Sequence, residues 1–135
     1  MIVDTSVLLA LFHPKEPLHR LVSEFLAQVS EPLVVSPYVL AELDYLVMTR
    51  CGVANEVAAL RALLGQAWEI APLTSVQLGQ AVDLVETYAD ERIGLTDAVN
   101  VVLAGAYRTR RIATLDWRHF AVLRLPDGSP VEILP

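Results

Sequence analysis

The sequence predicts an α/β fold, a parallel sheet flanked by helices. Three observations predict it. Short apolar runs alternate with longer segments of helical spacing, the pattern of strands joined by helical crossovers. No linker, internal repeat or low-complexity stretch divides the chain. At 135 residues, 54% of them hydrophobic, the chain suits one compact domain over residues 1–135 with a sizeable core, and disorder is not expected.

The elements follow in order. Ile2-Val3 opens as a buried strand, and Thr5 to Phe12 reads as a short helix stopped by His13-Pro14. Leu18, Leu21, Val22, Phe25, Leu26 and Val29 recur at helical spacing, so a helix is expected from Leu18 to Val29. Leu33-Val34-Val35 is the second strand. Ser36-Pro37 has the form of a cap followed by proline at the first helical position; that helix runs to about Arg50, with Gly52 as its C-terminal cap. A further helix covers about Val53 to Gln66, and Trp68 to Pro72 is the third strand. Ser75 caps a helix to Ala89, and Thr96 caps one from Asp97 to about Arg110. Arg111 to Leu115 is the fourth strand, Trp117 to Phe120 a turn, and Val131 to Leu134 an edge strand.

Within this frame four acids stand in apolar surroundings. Asp4 ends Met1-Ile2-Val3, Glu42 interrupts Tyr38-Val39-Leu40-Ala41, Asp97 precedes Ala98-Val99, and Asp116 ends Ile112-Ala113-Thr114-Leu115. A buried carboxylate costs several kcal/mol unless paired or bound to metal. Lys15 is the sole lysine and belongs to the breaker segment His13-Pro14-Lys15. Divalent cations are therefore the expected source of compensating charge. In open parallel sheets ligands bind beyond the carboxyl ends of the strands, where strand order reverses, and right-handed crossovers would bring all four acids to that rim. Oxygen-rich sites suit Mg²⁺ or Mn²⁺, and a pair of such ions clamps the attacking and leaving oxygens of a phosphodiester.

Each acid also has a purely structural alternative. Asp4 could cap the helix that follows, Asp97 could be a first-turn acid favoured by the helix dipole, and Asp116 could be a turn residue before Trp117. For Glu42 only a solvated helix face competes. The four together are harder to explain locally than any one alone.

Composition narrows the function classes. A net charge of −6 speaks against simple electrostatic binding of nucleic acid, an objection that weakens once some acids hold cations. Cys51 is the only cysteine, so no intrachain disulfide forms, which fits a reducing cytoplasm. Neither a signal peptide nor an uncharged stretch of about 20 apolar residues is evident.

Taken together, Ile2-Val3-Asp4-Thr5-Ser6, Ser36-Pro37 leading to Ala41-Glu42-Leu43, Gly94-Leu95-Thr96-Asp97-Ala98, and Ala113-Thr114-Leu115-Asp116 followed by Arg118-His119-Phe120 resemble a PIN-domain ribonuclease, specifically a VapC-type toxin of a bacterial toxin–antitoxin pair. Their order and spacing agree over essentially the whole length. The resemblance implies a PIN-like (Rossmann-like) parallel sheet of about five strands. It implies Asp4, Glu42 and Asp97 as main metal ligands and Asp116 as the fourth acid, directly or through water. Thr5 or Ser6, and Thr114, would hydrogen-bond the cluster; a buried strand threonine is the alternative for Thr114. The implied reaction is metal-dependent endonucleolytic hydrolysis of a structured RNA of translation, leaving a 5′ phosphate and a 3′ hydroxyl. The target would be transfer RNA or the sarcin–ricin loop of large-subunit ribosomal RNA; Arg92 to Leu103 with Tyr107 to Arg110 looks closer to the ribosomal-RNA cutters.

For RNA contact the basic residues of the last third are the candidates: Arg108, Arg110, Arg111, Arg118 and Arg124, with His119. Cations at a helix C-terminus explain Arg108 and Arg110 equally well, and packing with Phe120 is the alternative for His119. Asn100, one turn after Asp97, faces either the acids or solvent. The resemblance further implies a homodimer and a VapB-type antitoxin whose C-terminal segment blocks the cleft, a cationic side chain of the antitoxin standing in for metal. Leu40, Leu43, Val47, Leu60, Leu63 and Leu64 are candidate contacts for such partners, with plain core as the alternative.

Other functions fit less well. Phosphotransfer and receiver domains need a lysine beside their acids, and haloacid-dehalogenase phosphatases need Asp-x-Asp at the first strand, where position 6 here is Ser. An inactive binding module is disfavoured because all four acid positions are filled. A PIN nuclease of RNA processing is disfavoured by the short length.

Overall fold

In a computed structural model describing residues 1–135, five short strands form one parallel sheet: β1 (Ile2–Val3), β2 (Leu33–Val35), β3 (Trp68–Ile70), β4 (Arg111–Ala113) and β5 (Glu132–Leu134), in the order β3-β2-β1-β4-β5. The C-terminal tail is thus a parallel edge strand, paired Arg111 to Glu132 and Ala113 to Leu134. Ile2 pairs with both Val34 and Ile112, which puts β1 at the centre, where strand order reverses.

Seven helices connect and cover the strands: α1 (Thr5–Phe12), α2 (His19–Gln28), α3 (Pro37–Cys51), α4 (Val53–Leu63), α5 (Ser75–Thr87), α6 (Leu95–Ala106) and α7 (Trp117–Val122). Successive strand residues point to opposite faces, and this divides the core in two. Met1 and Val3 pack with Val7, Leu8, Val22, Val39, Leu43, Val47 and Leu63 on one side. Ile2 packs with Ala81, Val99, Val102, Leu103, Phe120 and Leu123 on the other. The resulting helix–sheet–helix sandwich sets the carboxyl ends of β1 and β4 side by side. Of the apolar residues considered as partner contacts, Leu43, Val47 and Leu63 are core, whereas Leu64 is exposed.

Local chemistry explains most element ends. Ser36 accepts from the Val39 amide at 3.0 Å with Pro37 behind it, and Gly52 ends α3 at φ 83°, a conformation that glycine adopts without steric penalty. Several boundary expectations need correction: β3 and β4 stop at Ile70 and Ala113, not Pro72 and Leu115, and α6 at Ala106, not Arg110. Thr74, not Ser75, caps α5, because Thr74 and Gln77 form a reciprocal capping box. α6 starts at Leu95 after Gly94, so Thr96 is not a cap; its hydroxyl goes elsewhere. Trp117 to Phe120 is not an open turn but the start of α7, capped by Asp116. α4 ends at Leu63, short of Gln66.

Candidate active site

Asp4 leaves the end of β1, its amide bonded to the Ala113 carbonyl of β4 at 2.9 Å. The parallel register therefore aligns Asp4 with Thr114. Four groups converge on the buried Asp4 carboxylate. Oδ2 accepts from the Ser6 hydroxyl at 2.6 Å, the Thr114 hydroxyl at 3.0 Å and the Ser6 amide at 3.3 Å, and Oδ1 accepts from Asn100 Nδ2 at 3.2 Å. Asp4 is thus helix cap and cluster member at once. Ser6 and Thr114 are themselves held by the next loop: Ser6 Oγ accepts from the Leu115 amide at 2.9 Å, and Thr114 Oγ1 from the Asp116 amide at 3.0 Å. Each hydroxyl locks β4's exit to Asp4.

Asp97 sits in the first turn of α6, half-buried. His119 lies between it and Asp116: Nδ1 is 2.9 Å from Asp97 Oδ2 and 3.2 Å from Asp116 Oδ2. With carboxylates on both sides, Nδ1 is the protonated nitrogen. The Asp97 carboxyl is pushed up to about 6, first by burial and then by the nearby Asp4 charge, against the opposing pull of the hydrogen bond and charge of His119. An Asp97 carboxylate raised by burial and by the neighbouring Asp4 charge is under-neutralised, which one imidazole only partly relieves.

Glu42, on the second turn of α3, is exposed at the helix surface, not buried as its apolar neighbours suggest. It is nonetheless fixed. Oε2 accepts from the Thr5 hydroxyl at 2.8 Å and Oε1 from the Thr96 hydroxyl at 2.6 Å. Thr5 follows Asp4 and Thr96 precedes Asp97, so each aspartate-bearing helix lends its adjacent threonine to Glu42.

Asp97, Asp116 and His119 each offer a ligand atom within 4.8 Å of the others. Carboxylate oxygens dominate this rim, which suits a hard divalent cation. Asn100, completely buried, has its Oδ1 without any hydrogen-bond partner while its amide nitrogen holds Asp4. A buried unsatisfied acceptor beside an acid cluster is the environment a cation relieves. The donor set therefore fits a divalent metal.

Several expected residues lie elsewhere. Arg108 and Arg110 lie beyond the far end of α6, whose length from Asp97 to Ala106 is about 14 Å. Arg110 donates to the Pro130 carbonyl, Arg111 pairs with Glu31, and Arg124 donates to the carbonyls of Ala121, Val122 and Leu123 at the end of α7. Of the basic candidates only His119 contacts the acids; Arg118, exposed on α7, is its sequence neighbour. Thr96 was missed as a site residue because threonine before a helical run has the form of a cap. The position of Asn100 one turn after Asp97 was its only signal.

The PIN domain family model matches residues 1–124. Ribonuclease VapC26 of Mycobacterium tuberculosis is 54% identical over 135 residues, covering 100% of both chains. Among solved structures, the chain is similar in fold to VapC20 of Mycobacterium tuberculosis, described as a sarcin–ricin loop cleaving toxin (TM-score 0.81, 22% identity, 86% of this chain and 89% of that one). It is also similar to a toxin–antitoxin complex from Klebsiella pneumoniae (TM-score 0.71, 20% identity, 90% and 91%). VapBC2 of Rickettsia felis, bound to a DNA fragment from its promoter, gives a TM-score of 0.70 at 20% identity, covering 99% and 98%. A parallel sheet whose switch point gathers the acids, a family match over most of the length and a full-length relative above half identity lead to one conclusion: the chain belongs to the PIN-domain family, among the VapC ribonucleases.

Proposed function

We propose that residues 1–135 act as one catalytic unit, a divalent-cation-dependent endoribonuclease toxin that hydrolyses a structured RNA of translation and is neutralised by a VapB-type antitoxin. The observation that carries this reading is the crowding of Asp97 and Asp116 about His119 at the sheet's switch point, with the Asp4 charge near enough to act on Asp97.

Asp4, Asp97, Asp116 and Glu42 would hold Mg²⁺ or Mn²⁺, with His119 and Asn100 beside them. When bound, the cation lowers the pKa of a coordinated water and neutralises charge on the scissile phosphate. The chain's own residues do the positioning. Ser6 and Thr114 hold one Asp4 oxygen, Asn100 the other, and Thr5 and Thr96 grip both oxygens of Glu42, so the carboxylates need little rearrangement to bind. His119 orients Asp97 and Asp116 together. In the reaction a water oxygen bonds to phosphorus and the bond to the 3′ oxygen breaks, leaving a 5′ phosphate and a 3′ hydroxyl. Arg118, exposed beside His119 in sequence, would take a flanking phosphate. We place the sarcin–ricin loop ahead of transfer RNA as substrate. The support is the likeness of Arg92 to Leu103 and Tyr107 to Arg110 to ribosomal-RNA cutters. The antitoxin would cover this rim, offering a cationic side chain to the acids, and the toxin would act as a homodimer in the cytoplasm. No helix is long and apolar enough to cross a membrane.

Mapping new 5′ ends in total RNA after induced expression tests the proposal. One dominant cut in ribosomal or transfer RNA, absent with a folded Asp97→Asn variant, is expected. Equal growth arrest by that variant would refute cleavage as the mode of toxicity.

A further inference from the structure

We infer that Trp117 is the platform on which an unpaired base of the RNA stacks as its backbone enters the acid cluster, an inference that rests on the ribonuclease reading above. Trp117 is 61% exposed, although an indole is among the most favourable side chains to bury. Its helix does not lack a core to turn toward: Phe120, three residues on, is 1% exposed, and Leu123 is fully buried. Trp117 stays outside because it is the first residue of α7, on the loop-facing end of the helix.

The backbone carrying the ring is held firmly. Asp116 caps α7 through the His119 amide, the Asp116 amide is tied to Thr114, and Phe120 and Leu123 anchor the helix in the core. A large flat ring with two rotatable bonds on a fixed backbone loses little entropy on binding. Its two sequence neighbours supply the complementary contacts. Asp116 joins Asp97 through His119, and Arg118 is an exposed cation with no hydrogen bond to the protein. Asp116-Trp117-Arg118 thus places an acid of the candidate metal centre, an exposed aromatic ring and an exposed cation at consecutive positions of one helix start, their side chains fanning about 100° apart. These match the reacting phosphate, a base and a flanking phosphate of one strand. Every base has a π-face, so such a platform tolerates sequence but requires the base to be unstacked from its neighbours. It therefore selects loops over duplex.

The test uses the full chain in a Trp68→Phe background, which leaves Trp117 as the sole indole. With metal chelated, a sarcin–ricin-loop hairpin RNA is expected to quench Trp117 fluorescence saturably, and a fully paired RNA duplex to do so much less. With Mn²⁺ present, Trp117→Ala is expected to raise KM for the hairpin about tenfold while kcat changes less than about twofold, and Trp117→Phe to keep KM within about threefold of the parent. Circular dichroism and an unchanged urea midpoint establish that the variants are folded. An unchanged KM in Trp117→Ala overturns the inference, as does an unaltered indole signal while labelled RNA reports binding by anisotropy. Should Trp117→Ala leave KM alone and instead weaken self-association or antitoxin binding, the ring is a protein contact and the inference fails. If the parent protein cuts neither the hairpin nor bulk transfer RNA with Mn²⁺ present, the ribonuclease reading itself falls and this inference with it.

Discussion

Asp97→Asn is expected to stabilise the metal-free protein. The Asp97 carboxyl titrates at about 6 in the fold against 3.8 ordinarily. That difference corresponds to about 3 kcal/mol of differential interaction. Because the raised value favours the protonated form, this contribution is fully present below pH 3.8, is lost as pH climbs toward 6, and is absent above. At pH 8 the ionised Asp97 therefore costs up to about 3 kcal/mol; solvent screening at this partly open rim reduces the expected cost to about 1–2 kcal/mol. Asparagine removes the charge while its amide oxygen still accepts from His119 Nδ1.

The assay is urea unfolding from pH 4.5 to 8 in chelator. The variant should exceed the parent by about 1–2 kcal/mol above pH 6.5, by about a third of that at pH 4.5, and by about 4–8 °C in Tm at pH 8. Adding Mn²⁺ should reverse the order. A cation at a hundred times its Kd adds about 2.7 kcal/mol to the protein that binds it, and the variant should gain far less. An Asp97→Asn protein less stable than the parent at pH 8 in chelator, or a gap that does not vary with pH, would refute the electrostatic reasoning.

Three further outcomes test the supports of the site. Thr96→Val keeps the shape but strips one hydroxyl from Glu42; kcat/KM for RNA cleavage should fall about tenfold while the unfolding free energy moves by less than about 1 kcal/mol. Ser36→Ala leaves the buried Val39 amide without its cap and should cost about 1–2 kcal/mol in urea unfolding. Gly105→Ala would set its new methyl 2.9 Å from the Pro126 ring; the overlap should outweigh the better helix propensity of alanine and cost about 1 kcal/mol, read as a lower urea midpoint.

Much of the fold was legible because its signals are local. Helical spacing, Ser36-Pro37 and Gly52 act within a few residues of themselves, so α1 and α3 could be placed from sequence. Local signals failed where two neighbours compete for one task. Thr74 and Ser75 both have hydroxyls, and Gln77 three residues on decided for Thr74. The candidate site was legible as four acids in apolar surroundings, but its wiring was not. Glu42 turned out to be exposed, and its fixation depends on Thr5 and Thr96, 37 and 54 residues away.

Sequence alone determined the alternation that makes a parallel sheet, the first strand's end at Asp4, and the acids themselves, but not that the fourth strand stops at Ala113 and leaves Thr114 beside Asp4. Tertiary structure decided that β1 lies between β2 and β4, and with that which side chains meet: Asn100 and Thr114 on Asp4, across 96 and 110 residues, and His119 between Asp97 and Asp116. The reason is physical. A helix or cap is stabilised by hydrogen bonds within one turn, whereas contacts between distant side chains depend on strand order and register, which the whole core sets at once.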